Sequence, residues 1–222
     1  MRIKHFFLHF LTILTSLPCL AQRIEPTAIY TNESGVITET NDEIEGQAPL
    51  TVSFHANPSN MESHDPTYEW HFQQKGADRE LMIRYEENTE FTFTSAGTTF
   101  VTLIAKYEDM EQQAEPIKVT IKESKLTFPN AFSPNNDGFN DEYHAKEYQS
   151  LIEFHAYIFN RWGQKLFEWT NPAEGWDGTF HGKPVKEGVY FLLAKAKGAD
   201  GTEYTIRKDV NLLRGYNKNA NE

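Results

Sequence analysis

From Gln22 onward the chain alternates where a helix would spiral. Leu50, Val52 and Phe54 fall on every second position, and so do Val101, Leu103 and Ala105. A period of two sends successive side chains to opposite faces, the pattern of strands that bury one face. Helical periodicity is nearly absent. In the front half the runs Thr27–Asn32, Leu50–Ala56, Thr67–Phe72, Leu81–Tyr85, Thr89–Thr94, Thr98–Tyr107 and Ile117–Ile121 read as strands with turn residues between them. Seven short strands at this spacing predict a β-sandwich. Trp70 stands mid-run in TYEWHF, where its ring belongs to the core.

The back half repeats the pattern over Leu126–Phe128, Leu151–Phe159, Lys165–Trp169, Val189–Lys197 and Glu203–Leu213. In the last of these, Tyr204, Ile206, Val210 and Leu212 share one face, and Glu203, Thr205, Arg207, Asp209 and Asn211 the other. Asp200-Gly201 is a strong turn signal, so the final two runs should form a hairpin. Arg161-Trp162-Gly163 joins Leu151–Phe159 to Lys165–Trp169 in the same way. The expected fold is all-β: two consecutive β-sandwich domains, 22–124 and a smaller one at 125–214, followed by a short tail at 215–222.

Residues 1–21 read as a signal peptide. Arg2 and Lys4 precede an apolar stretch from Phe6 to Leu17, too short to span a bilayer comfortably, and Cys19-Leu20-Ala21 suits cleavage. A lipid anchor on Cys19 is the rival reading, but Pro18 stands where a lipobox has a small residue. Cys19 is the only cysteine, so the cleaved chain would have no disulfide, thiolate nucleophile or cysteine-ligated zinc. The expected address is the outer membrane, the cell surface or the medium. Charge separates the two halves. Residues 22–124 hold 19 acidic and 7 basic residues, a net of −12, whereas 125–222 hold 13 and 12, a net of −1. An acidic front half argues against nucleic acid or anionic lipid as its partner.

Longer strings carry two family resemblances. GQAPLTVSF, YEWHF, FTFTSAGTTFVTLIA and IKVTI, in that order over roughly Pro26–Lys122, resemble a PKD (Ig-like) domain, although WHFQQKG departs from that family's usual Asp- and Gly-bearing run after the tryptophan. The resemblance implies a spacing or protein-binding module. FPNAFSPNNDGFND, FNRWGQKLFE, GWDGTFHGKPVKEGVYFLLAKAKG and DVNLLR, over roughly Lys125–Arg214, resemble the gliding motility-associated C-terminal domain, the type B sorting domain of type IX secretion. That resemblance implies a Bacteroidota-type exporter. It also implies passage through the outer-membrane translocon and a partner similar to the PorP or SprF barrels, so that membrane association is through a protein. The family usually ends close to Leu-Leu-Arg, whereas this chain continues as GYNKNANE. With one Ig-like module as payload, the layout resembles the small PorA-type proteins.

FSPNNDGFNDEY, from Phe132 to Tyr143, admits two readings. An oxygen cage of Asn135, Asp137, Asn140 and Asp141 would take calcium. An EF-hand register, however, places Ser133 at position 1 and His144 at position 12, where acidic ligands are required. The structural reading is a turn fixed by Pro134, capped by Asn and Asp, with Gly138 at positive φ. For a partner-binding face the candidates are Arg161, Trp162, Trp169, Trp176, Tyr190 and Arg214, with core packing as the competing reading for each ring. HExxH, GxSxG and P-loop strings are absent. His55, His64, His71, His144 and His155 have no metal-ligand spacing, and Glu86-Glu87 is explained by an acidic surface. The expectation is a non-enzymatic surface protein without a cofactor, docked on a barrel as a structural or signalling component. The alternative is an adhesin that binds glycan or host protein through the front module.

Overall fold

The computed structural model describes residues 22–61 and 65–215. The expected signal peptide, His64 and the tail from Tyr216 lie outside the described residues. Every regular element among those described is a strand.

The first module is a two-layer sandwich. One sheet runs in the order Ile37–Thr40, Thr27–Thr31, Leu50–His55, Asn88–Phe93. The other runs Glu43–Gly46, Ile117–Ile121, Gly97–Tyr107, Thr67–Gln74, Met82–Arg84, with Met110–Gln113 paired to Gly97–Tyr107. The alternating residues meet between the layers: Val52, Phe54, Trp70, Phe72, Leu103 and Ile117 are fully buried. The Phe54 and Trp70 rings lie 5.7 Å apart. The Trp70 indole N–H donates to the Glu86 carbonyl at 3.1 Å, which lets a polar tip sit beside the core without cost.

Besides the two-residue strands Arg23–Ile24 and Pro58–Ser59, which pair with each other, three strands here are not among those expected: Ile37–Thr40, Glu43–Gly46 and Met110–Gln113. Each is an edge or flap with little one-sided apolar pattern. Ile37 is exposed, and Ile44 is the only buried large apolar side chain of Glu43–Gly46. Pairing rather than burial makes these segments strands. Glu43–Gly46, for instance, runs parallel to Ile117–Ile121.

The second module has its own core, from Leu126 to Leu212. It is built on one five-stranded sheet in the order Ala131–Phe132, Glu203–Leu212, Gly188–Gly198, Leu151–Phe159, Lys165–Trp169. The outer pair Ala131–Phe132 and Glu203–Leu212 is parallel and the other neighbours are antiparallel. One face of the sheet carries Ala156, Ile158, Leu192, Ala194, Val210 and Leu212, all buried.

No full second sheet covers that face. Its cover is the ribbon of Lys125–Thr127 with Glu147–Gln149, together with loops that hold Phe128, Tyr143 and Trp176, and Phe132 of the edge strand packs against them. Tyr143 and Trp176 exchange backbone hydrogen bonds, Tyr143 N–H to Trp176 O at 2.8 Å and Trp176 N–H to Tyr143 O at 3.1 Å. The Tyr143 hydroxyl donates to the Pro129 carbonyl at 3.0 Å, and burial pushes its phenol well above the ordinary tyrosine range. Large rings bury enough area per residue for short irregular segments to serve as a layer. The smaller sandwich expected here is thus present, with a two-stranded ribbon and aromatic loops as its second layer.

Candidate functional site

Because one face of the five-stranded sheet is roofed, every second residue of its strands points the other way, into solvent. The register sets the rows. Phe159 stands opposite Phe191 and Phe191 opposite Asp209; Tyr157 stands opposite Leu193 and Leu193 opposite Arg207; Val189 pairs with Asn211. The outward face of Leu151–Phe159 is therefore His155, Tyr157, Phe159. The His155 and Tyr157 rings stack at 4.3 Å, and Tyr157 and Phe159 lie 6.2 Å apart. Val189 and Phe191 are exposed. Phe159, Arg161, Phe191, Leu193, Arg207 and Asp209 line a shallow concavity of about 1010 Å³.

Cations border the rings. Lys165 Nζ lies 5.7 Å from the Tyr157 ring centroid and 2.7 Å from Glu168. The hydrogen bond from Lys165 holds the Glu168 carboxyl below the usual range. At the turn after Phe159, Asn160 Oδ1 accepts from the backbone N–H of Trp162 (3.0 Å) and of Gln164 (3.1 Å). That Asx turn holds Trp162 out in solvent at 80% exposure, with the Arg161 guanidinium 5.1 Å from its ring centroid. Aromatic faces and arginine on an otherwise unpartnered sheet are the composition of a protein-docking surface.

The six candidate partner residues separate into two groups. Arg161 and Trp162 lie at the rim of this face. Trp169, Trp176 and Tyr190 point to the opposite side and are buried, so their rings do not form a contact surface. Tyr190 meets Trp176 edge-on at 5.0 Å and donates to the Lys186 carbonyl at 2.6 Å, and burial raises its phenol. The Trp176 indole N–H donates to the Thr179 carbonyl at 2.7 Å. Trp169 packs between Phe154 and Phe167.

Arg214 also turns inward. Its guanidinium donates to the carbonyls of Gly178 (2.9 Å), Pro134 (3.1 Å) and Val185 (3.3 Å), and its backbone N–H donates to Glu187. One side chain thus ties the chain's last strand to three loops. Gly178 has φ +76°, and a Cβ there would lie 3.0 Å from Leu212 and from Pro134, so the GWDG string keeps space for this knot.

The Asn/Asp loop is satisfied from within. Asp141 accepts from the backbone N–H of Asn135 (3.0 Å), Asn136 (2.7 Å) and Gly138 (2.8 Å). Asp137 accepts from Phe139 N–H at 2.9 Å and from the Asn135 amide at 3.1 Å. Asn140 enters through its carbonyl, which accepts from Ser133 N–H at 2.8 Å, and Gly138 has φ +83°. The two carboxylates of the supposed cage are therefore turned to their own loop's amides, which is the geometry of a capped turn. Among the described residues no group of three His, Cys, Asp or Glu side chains is placed to hold a metal ion.

The open face was legible in one respect that the sequence reading missed. Ala156–Phe159 and Val189–Leu193 are apolar or aromatic on both parities, the mark of strands apolar on both faces.

A β-sandwich followed by a smaller β module, whose five-stranded sheet is covered on one face and open on the other, defines a modular, all-β protein. Residues 126–208 match the family described as CHU_C Type IX secretion signal domain. The C-terminal module thus carries a signal for type IX export, to the cell surface or beyond it. No curated protein matches the chain. Among solved structures, the chain is similar to the Bacteroides ovatus mixed-linkage glucan utilization locus protein SGBP-B, in complex with a mixed-linkage heptasaccharide. Identity there is 13% and the TM-score 0.29, over 77% of this chain and 42% of that one. It is also similar to dimeric latent PorU from Porphyromonas gingivalis, at 11% identity and TM-score 0.26, over 85% of this chain and 20% of that one. The chain therefore spans less than half the length of either, and likenesses this low carry no argument about function.

Proposed function

We propose that this is a non-enzymatic surface protein of the type IX pathway, exported through its C-terminal module and then held by the open sheet face on an outer-membrane protein similar to the PorP or SprF barrels. The observation that carries the reading is the coincidence of the two features in one module: the residues that match the secretion signal domain also form a sheet whose outward side is Tyr157, Phe159, Phe191 and Leu193. Such a face loses water favourably against a partner's apolar surface, and Arg161, Arg207 and Asp209 at its border give the contact direction and register. The front module, PKD-like in its strings, acts as the exposed part, structural or signalling in role.

The reading is tested in two stages. Deleting Thr127–Arg214 should leave the remaining chain in the periplasm; surface display of the truncated chain would sink the proposal. A Tyr157→Ser, Phe191→Ser chain should still be exported but no longer co-purify with an outer-membrane barrel in mild detergent. Retention by the double variant would place docking elsewhere.

A further inference from the structure

Two modules joined by a short connection swing independently unless contacts hold them. Here Ile121 ends the first module's last strand and Lys125 opens the second module, and three sets of contacts bridge the gap. Ala96 N–H, in the turn before Gly97–Tyr107, donates to the Ala199 carbonyl at 2.9 Å. Ala48 N–H donates to the buried Ser150 hydroxyl at 3.2 Å, and the Ser150 carbonyl accepts from Ala199 N–H at 2.9 Å. Ile152 and Ala199 of the second module pack against the first module's core.

The connection itself is fastened to the second module. Ser124 donates to Asp200 through its backbone N–H (3.0 Å) and its hydroxyl (2.8 Å). The Tyr204 hydroxyl lies 2.8 Å from Ser124 Oγ, and the Gln149 amide donates to the Glu123 carbonyl at 2.7 Å. Gly198 leaves the room for this: a Cβ there would stand 2.1 Å from Ser124 Oγ and 2.4 Å from its Cβ.

We propose that the tip of the closing hairpin, Gly198 to Thr202, is an interdomain clasp that fixes the two modules as one rigid body. The hairpin turn thereby does more than reverse the chain. It joins Ser124, Ser150 and the Ala96 turn at one point. The strand Gly188–Gly198 runs from Phe191 on the open face to this point, seven residues or roughly 23 Å at the rise of an extended chain. The front module is thus held at the end of the sheet remote from the aromatic concavity, at a set attitude, and leaves that face uncovered. A partner docked there would hold the front module in one orientation.

The test is a distance measurement in the full chain. With Cys19→Ser to remove the native thiol, spin labels go at Asp109→Cys in the front module and Lys183→Cys in the back one, both exposed positions. A single narrow distance distribution is expected. Ala199→Glu, which drives a carboxylate against the first core, should replace it by a broad one. Tryptophan near-UV dichroism should be kept, showing that both modules remain folded. A broad distribution in the parent chain overturns the proposal whatever the variant does. So does a narrow distribution that survives both Ala199→Glu and the milder Ser124→Ala, Asp200→Asn pair.

Discussion

The two modules solve one problem in opposite ways. The first sets sheet against sheet, so its apolar alternation is spent inside, and the outward face of its larger sheet is rich in ion pairs. Lys106 meets Glu69 at 2.7 Å, Lys118 meets Glu43 at 2.6 Å, and His71 lies between Glu69 and Glu80. The hydrogen bond from Lys106 keeps the Glu69 carboxyl below its ordinary range. The second module roofs one side of its five-stranded sheet with a two-stranded ribbon and loops and leaves the other side open with rings on it. A face covered by charge is soluble and non-committal, whereas one that leaves Tyr157 and Phe159 half-buried and Phe191 exposed costs free energy in water and is retained where a partner covers it.

That contrast breaks first at the roof. Trp176→Ala should cost about 3–5 kcal/mol, because the ring is fully buried in the second core and its loss leaves a cavity there. Trp162→Ala, at 80% exposure, should stay within about 0.5 kcal/mol. Chemical denaturation of the two variants side by side decides it, and equal losses would mean that the roof is not the second module's core. Arg214→Met should follow at about 2–3 kcal/mol, since three loop carbonyls each lose a charged hydrogen bond, although Gly178 keeps the one from Val185 N–H. The same denaturation assay reads it, and a neutral result would reduce the knot to a surface contact.

Asp141→Ala should cost about 1–2 kcal/mol by freeing three amides at the loop. Its melting temperature, compared with that of the parent, checks the capping role. The smallest change concerns the clasp and pH. Backbone hydrogen bonds from Thr202 and Ser124 hold the Asp200 carboxyl well below the ordinary aspartate range. A folded value below the unfolded one means that this group's contribution is complete above the unfolded value, about pH 4, and is lost as pH falls through the folded value. The stability gap between the parent and Asp200→Asn should therefore be constant near neutrality and shrink in acid. A gap that grows in acid would reverse the assignment.

Much of the fold is written locally. Leu50–His55 and Glu203–Leu212 show their inner faces by alternation, and Asp200-Gly201 shows its turn. Edge strands such as Ile37–Thr40 are not legible, because pairing with a neighbour needs no apolar pattern. The site was legible only in part. Trp162 stood out as an aromatic in a turn, but Trp169, Trp176 and Tyr190 look the same in a string whether they face out or in. Tyr157 and Phe191 were hidden by being ordinary strand residues.

The sequence by itself determined that this is an all-β chain of two modules, with a C-terminal set of strings of the sorting type, since period, turn residues and charge are properties of neighbours along the chain. Only the tertiary structure decided which side of the second sheet is roofed, where Arg214 reaches and that Ser124 meets Asp200. Those depend on residues 29 to 80 positions apart coming within hydrogen-bond distance, and no local pattern records such a meeting. Burial is a relation between distant segments, which is why Trp169, Trp176 and Tyr190 serve the core, while Phe159 and Phe191 stand on the open face.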